Sequence, residues 1–88
     1  MNAKEALLSI EKIVKEHGDP KALGSYILEV LRLVERYCVK DAAVLDLGAQ
    51  PFITSCALKA MGYDVIAVDV EPEPYMSIAE KYSVTYVV

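Results

Sequence analysis

What this chain has little of narrows its function first. Among 88 residues, two are cysteine and one is histidine. Cys38 and Cys56 form no CxxC pair, and no Cys/His spacing suggests a metal site. Both cysteines sit in helix-like segments among apolar neighbours, which predicts buried free thiols and no disulfide. His17 stands near a helix C-terminus, where a structural role beside the helix dipole suffices. With no Ser/His or Cys/His pair to combine, the sequence offers no catalytic residue. It has no run of about 18 apolar residues, and Met1 opens a charged amphipathic segment, not an apolar signal core. The chain therefore reads as cytoplasmic, with no membrane partner. Basic clusters are also missing. Net charge is −4, which argues against nucleic acid, whose phosphates call for a clustered basic surface. Repeats and low-complexity tracts are absent, and only Glu71-Pro72-Glu73-Pro74 resembles a linker.

What is abundant is apolar surface. Hydrophobic residues make up 55% of the chain and charged residues 25%, as in a globular protein. The length allows a single small domain, 1–88, with a helical segment over 1–40 and a β-α-β-α-β unit over 41–88. So high an apolar share implies either a dense core or apolar surface left for a partner.

Asn2, with Glu5 three residues on, predicts a capping box. A helix over 3–17 follows, with Ala3, Ala6, Leu7, Ile10 and Val14 on one stripe and Gly18 as its C-cap. Asp19-Pro20 predicts an N-cap and first position for a second helix, 20–38. Leu23, Tyr26, Ile27, Val30, Leu31, Val34, Tyr37 and Cys38 form its apolar stripe, which places Tyr26 and Tyr37 in or beside the core. Leu8, Leu28 and Leu33 fall off the stripes. Ala43 to Leu47 reads as a buried strand, Ile53 to Met61 as a helix closed by Gly62, and Asp64 to Val70 as a second strand. Continuous apolar strands of this kind are usually covered on both faces of a parallel sheet. Tyr75 to Tyr82 predicts a helix and Val84 to Val88 a third strand. Right-handed crossovers then give a parallel sheet in spatial order 3-2-1, both crossover helices on one face.

The chemistry concentrates in the turn Val44-Leu45-Asp46-Leu47-Gly48-Ala49-Gln50-Pro51-Phe52. In open parallel sheets, ligands sit beyond the carboxyl ends of the strands. Asp46, the turn beginning at Gly48, and Asp69 at the end of the second strand would all lie there. A strand-end Asp can accept both hydroxyls of a ribose. Gly48 allows a sharp turn and close approach of backbone to a ligand. A dinucleotide, however, needs G-x-G-x-x-G so that free N–H groups cradle its pyrophosphate. Gln50 and Ile53 occupy the places of the second and third glycines, and Pro51 has no N–H. No Gly-Lys-Ser/Thr follows, so the turn is no P-loop either, and a nucleotide-binding half-domain is the weakest reading.

A ribose-bearing cofactor without phosphate tolerates these losses. Residues 44 to 70 resemble the first two motifs of class I S-adenosylmethionine-dependent methyltransferases, in which an acid, an apolar residue and G-x-G-x-G follow the first strand. The resemblance covers about residues 40 to 88. It implies a Rossmann-like three-stranded sheet (order 3-2-1) preceded by two helices, incomplete relative to the full methyltransferase fold because the sequence stops at Val88. It also implies S-adenosylmethionine as cofactor, with Asp46, Gly48 and Ala49 beside the methionine moiety, Asp69 on the ribose and Val70 against the adenine. Tyr63 and Asp64 take no ligand role. Gln50 and Phe52 depart from the family's second and third glycines; Gln50 can rearrange around the ligand, and Phe52 can fill its space. The methyl acceptor and any general acid or base belong to parts of the family fold not found here.

A sheet with both helices on one face leaves the other face open and the first strand's edge unpaired. The sequence thus also supports a second class of function: a non-catalytic α/β module that self-associates, as a homodimer, through that edge or that face. Folding of helix 3–17 over the open face is the competing solution.

Overall fold

A computed structural model of the chain describes residues 1–17, 20–49, 52–70 and 76–87, with the side chains of 14, 17 and 20–25 outside the description. The capping box forms as predicted. Asn2 Oδ1 accepts the Glu5 N–H at 2.9 Å, and Glu5 Oε1 accepts the Asn2 N–H at 3.1 Å. Two donors that the first helical turn would leave open are thereby satisfied.

The helix that follows is not continuous. It divides into α1 (Ala3–Ser9) and α2 (Glu11–His17). Ile10 leaves the helical ladder at φ −109° and ψ 15°, and its N–H turns to the Leu7 carbonyl at 3.2 Å. Ser9 Oγ donates to the Ala6 carbonyl at 2.7 Å, and a hydroxyl competing for a backbone acceptor in this way bends helices. The break leaves Ala3, Ala6, Ile10 and Ile13 buried. A straight stripe through Val14 does not anticipate Ile13.

Helix α3 (Pro20–Tyr37) starts at the predicted proline. The proposed caps Gly18 and Asp19 lie outside the described residues, as does the Leu23 side chain. Only Ile27 and Leu31 of its stripe are fully buried, with Leu28 and Val34 packed against the core. Tyr26 and Tyr37 are 70% and 72% exposed, contrary to the expectation that they join the core or its rim. The reason is packing: α3 lies mainly against α1, α2 and α4, so a narrow stripe suffices. Tyr37 instead takes the Arg36 guanidinium over its ring at 5.4 Å.

Strands β1 (Ala43–Leu47), β2 (Asp64–Val68) and β3 (Thr85–Val87) form a parallel sheet in the order β1-β2-β3. This is the predicted arrangement, although β2 stops before Asp69 and Val70. Helix α4 (Ile53–Ala60) crosses from β1 to β2 and packs on β2. It ends at Gly62, where the Gly62 N–H reaches the Lys59 carbonyl and the Tyr63 N–H the Leu58 carbonyl, with Gly62 at φ +104°. That pair of bonds is a Schellman cap, and the left-handed φ explains the glycine. Helix α5 (Met76–Lys81) lies against β3; Tyr75 and the loop 71–74 fall outside the described residues. Its C-terminus repeats the cap with Ser83 at φ +57°.

Register settles the two faces of the sheet. Val44 pairs with Val65, and Asp46 with Ala67, which pairs in turn with Tyr86. These residues face the helices, and Val65 and Ala67 are fully buried. Leu45 pairs with Ile66 and Leu47 with Val68 on the other face. There Leu45 is 59% and Leu47 70% exposed, with Ile66 and Val87 also exposed. The expectation of a β1 buried on both faces is thus corrected. Helices α1 and α3 pack onto α4, a third layer behind the helix side, and no described helix closes the open face.

The thiols divide as well. Cys56 is buried on α4, and burial pushes its pKa up to about 12. Cys38 is exposed just past the end of α3, correcting the expectation of burial. At about pH 8, Ellman's reagent is expected to titrate one thiol rapidly and the second only after unfolding in urea, because the thiolate is the reactive form and burial suppresses it. Loss of the fast phase in Cys38→Ser checks the assignment.

Candidate functional site

The carboxyl end of the sheet collects the predicted residues. Backbone hydrogen bonds hold them there. The Gly48 N–H donates to the Val68 carbonyl at 2.8 Å and the Ala49 N–H to the same oxygen at 3.1 Å. The turn after β1 is therefore stitched to the last residue of β2, one position before Asp69. The Asp69 N–H continues the ladder to the Val87 carbonyl at 3.1 Å. Asp46, Gly48, Ala49 and Asp69 are thus on adjoining strand ends, as the sequence implied.

Their exposures differ. Gly48 is exposed at φ +68°, and a Cβ there would meet nothing within 4 Å. Its glycine is required by the backbone, and the space above it is open. Ala49 is buried. Asp69 is half-buried, and Val70 is 86% exposed. Gln50 and Pro51 lie outside the described residues.

Asp46 points to the helix layer. Its Oδ2 accepts a 2.5 Å hydrogen bond from Ser55 Oγ, and Ser55 is fully buried on α4. A charged acceptor on a buried hydroxyl is a strong, short bond. This is a different first role from bordering a ligand: the carboxylate ties the end of β1 to the crossover helix. The sequence reading missed Ser55. Its one signal is a second small hydroxyl residue beside Thr54 in the first turn of α4.

Phe52 occupies the N-cap position of α4 at φ +72°, with no side-chain cap bond. It is fully buried, and its ring lies 6.1 Å from that of Tyr86 on β3, tilted by 47°. Left-handed backbone costs a non-glycine residue about 1–2 kcal/mol, which burying the phenyl ring offsets by a comparable or larger amount. A buried core aromatic thus stands where the resemblance would place a glycine.

A separate groove of about 300 Å³ opens elsewhere, lined by Met1, Glu35, Cys38, Lys40, Met61 and Tyr63. It contains none of the predicted site residues and lies by the start of β2. Tyr63 is buried, and its phenol is held above the usual range by that burial, then by Cys38 and Glu35. Among the described residues, no group of three or more His, Cys, Asp or Glu side chains could hold a metal ion, and no helix is long and apolar enough to cross a membrane.

The strand ends carry a half-buried Asp69 and an exposed Val70, with open space beside Gly48. The Gly48 and Ala49 amides are already bonded to the Val68 carbonyl and so are not offered to a phosphate. No family model, no curated protein and no solved structure matches this chain.

Proposed function

We infer that this chain carries the front half of an S-adenosylmethionine site, in a Rossmann-like unit of the methyltransferase type. The observation that carries the reading is the pair of hydrogen bonds from the Gly48 and Ala49 amides to the Val68 carbonyl, which brings the glycine turn against the strand end bearing Asp69. Asp69 would hold the ribose and Val70 the adenine, with Gly48 bordering the open space between turn and ligand. Asp46, bound to Ser55, would act through the placing of β1 more than by direct contact. When bound, the cofactor supplies an activated methyl group on sulfur, and the protein's part is to orient it. No residue of this chain is assigned to acid–base or nucleophilic work.

Calorimetry with S-adenosylhomocysteine tests the reading. Binding is expected for the native chain, at least about tenfold weaker for Asp69→Ala, a loss of 1.4 kcal/mol or more. Gly48→Val should also abolish it by filling the open space. The absence of heat at millimolar ligand, with the chain folded, refutes the cofactor site.

A second reading has its own support. Leu45, Leu47, Ile66 and Val87 are exposed on one sheet face, and contiguous apolar surface of this kind marks association. On this reading the chain is an α/β module that joins a second copy of itself.

A further inference from the structure

The hydrogen bonds flanking β1 determine which of its backbone groups face outward. The Asp64 N–H donates to the Ala42 carbonyl, and the Gly48 N–H to the Val68 carbonyl. Backbone groups alternate sides along a strand. Ala42, Val44, Asp46 and Gly48 therefore bond toward β2. Ala43, Leu45 and Leu47 point their N–H and C=O groups the other way, to an edge that no described strand pairs.

We propose that two copies of this chain pair antiparallel along β1, about a two-fold axis through Leu45, making one continuous sheet. The proposal rests on the association reading and names its surface. The edge is self-complementary in a specific way. With Leu45 opposite Leu45 of the second copy as a hydrogen-bonded pair, Ala43 falls opposite Leu47 as the next such pair. Every outward donor on Ala43, Leu45 and Leu47 then meets an outward acceptor, and none is left over. Shifting the register by one residue would oppose these groups to residues whose amides are already committed to β2.

Side chains agree with the same register. On the open face, Leu45 meets Leu45, and small Ala43 meets large Leu47. On the helix face, Val44 stands opposite Asp46, so no like charges are opposed and the Asp46–Ser55 bond is undisturbed. The axis is isologous, so the assembly closes at two copies. It also joins two open apolar faces side by side. A second copy is the occupant that offers the same odd-numbered donor and acceptor row at the same spacing.

Sedimentation equilibrium of the full chain at micromolar concentration, with three variants, tests this. The native chain should be dimeric. Leu45→Lys opposes two cations at the axis. Leu45→Pro deletes only an outward N–H, a change edge strands tolerate. Each should raise the dimer dissociation constant at least about tenfold, with circular dichroism reporting the fold. Ile66→Lys, on the open face but off the edge, should change it much less. A spin label at Leu45→Cys in a Cys38→Ser background should show strong dipolar broadening, which serves if either Leu45 variant unfolds. A monomeric native chain overturns the association reading together with the proposal. A dimer dissociated by Ile66→Lys but not by the Leu45 variants, or one with unbroadened labels, overturns edge pairing while leaving association through the open face.

Discussion

Phe52→Ala is expected to lower the unfolding free energy by about 3–5 kcal/mol, the largest single loss in this chain. Phe52 is the biggest fully buried side chain among the described residues, and its ring lies beside that of Tyr86 on the helix face of the sheet. Its removal leaves a cavity between α4 and β3 that short elements on one sheet face are poorly able to close. Small domains have total stabilities near the low end of about 5–15 kcal/mol. The variant should therefore be largely unfolded at ambient temperature, as urea titration followed by circular dichroism will show. Phe52→Gly separates the two roles of the residue. It loses the same ring but relieves the left-handed φ of +72°. It should be more stable than Phe52→Ala by about 1 kcal/mol or more, since the left-handed φ adds to the ordinary N-cap preference for Gly over Ala. If Ala proves the better replacement, the strained cap is not present.

The second large effect belongs to the Asp46–Ser55 pair. Asp46→Ala strands the Ser55 hydroxyl in the core, at a cost of about 1–3 kcal/mol, and Ser55→Ala removes a bond to a charged acceptor, worth about 1.5–3 kcal/mol. Because each change breaks the same contact, the double variant should be little worse than the poorer single one. A coupling energy of at least about 1 kcal/mol is expected from the double-mutant cycle. Additive losses would show that the two groups act independently. The cycle also bears on function: a large coupling makes Asp46 a positioning residue for the β1 turn.

These two sites show where sequence reasoning stops. The capping box at Asn2 and Glu5, Pro20 at the start of α3, Gly62 closing α4 and the parallel order of the strands were all legible. Each depends on groups within a few residues of one another, or on the handedness of a crossover. The same holds for the strand-end positions of Asp46, Gly48 and Asp69, since a strand's length and the turn after it locate them. Ser9 shows the limit even of local signals. Its hydroxyl bond to Ala6 splits a helix whose apolar period looks continuous.

Burial was less legible. Tyr26, Tyr37 and Cys38 have the spacing of a core stripe yet lie at the surface, because α3 packs mainly against α1, α2 and α4. Leu45 and Leu47 read as a doubly covered strand, yet one face stays open, because the N-terminal helices stack behind α4 instead of crossing the sheet. Phe52 stands where a ligand-binding glycine was expected and became core once β3 brought Tyr86 beneath it.

The amino-acid sequence by itself determined most of the elements, the Asn2–Glu5 and Gly62 caps, the sheet order and the strand-end positions of Asp46, Gly48 and Asp69. Those follow from chain-local geometry and periodicity. Tertiary structure alone decided which apolar residues are covered, that Asp46 bonds to Ser55, that the Gly48 and Ala49 amides are spent on Val68, and which backbone groups β1 presents at its edge. Each of these depends on what packs or pairs opposite a residue, and periodicity along the chain specifies a face without specifying its partner.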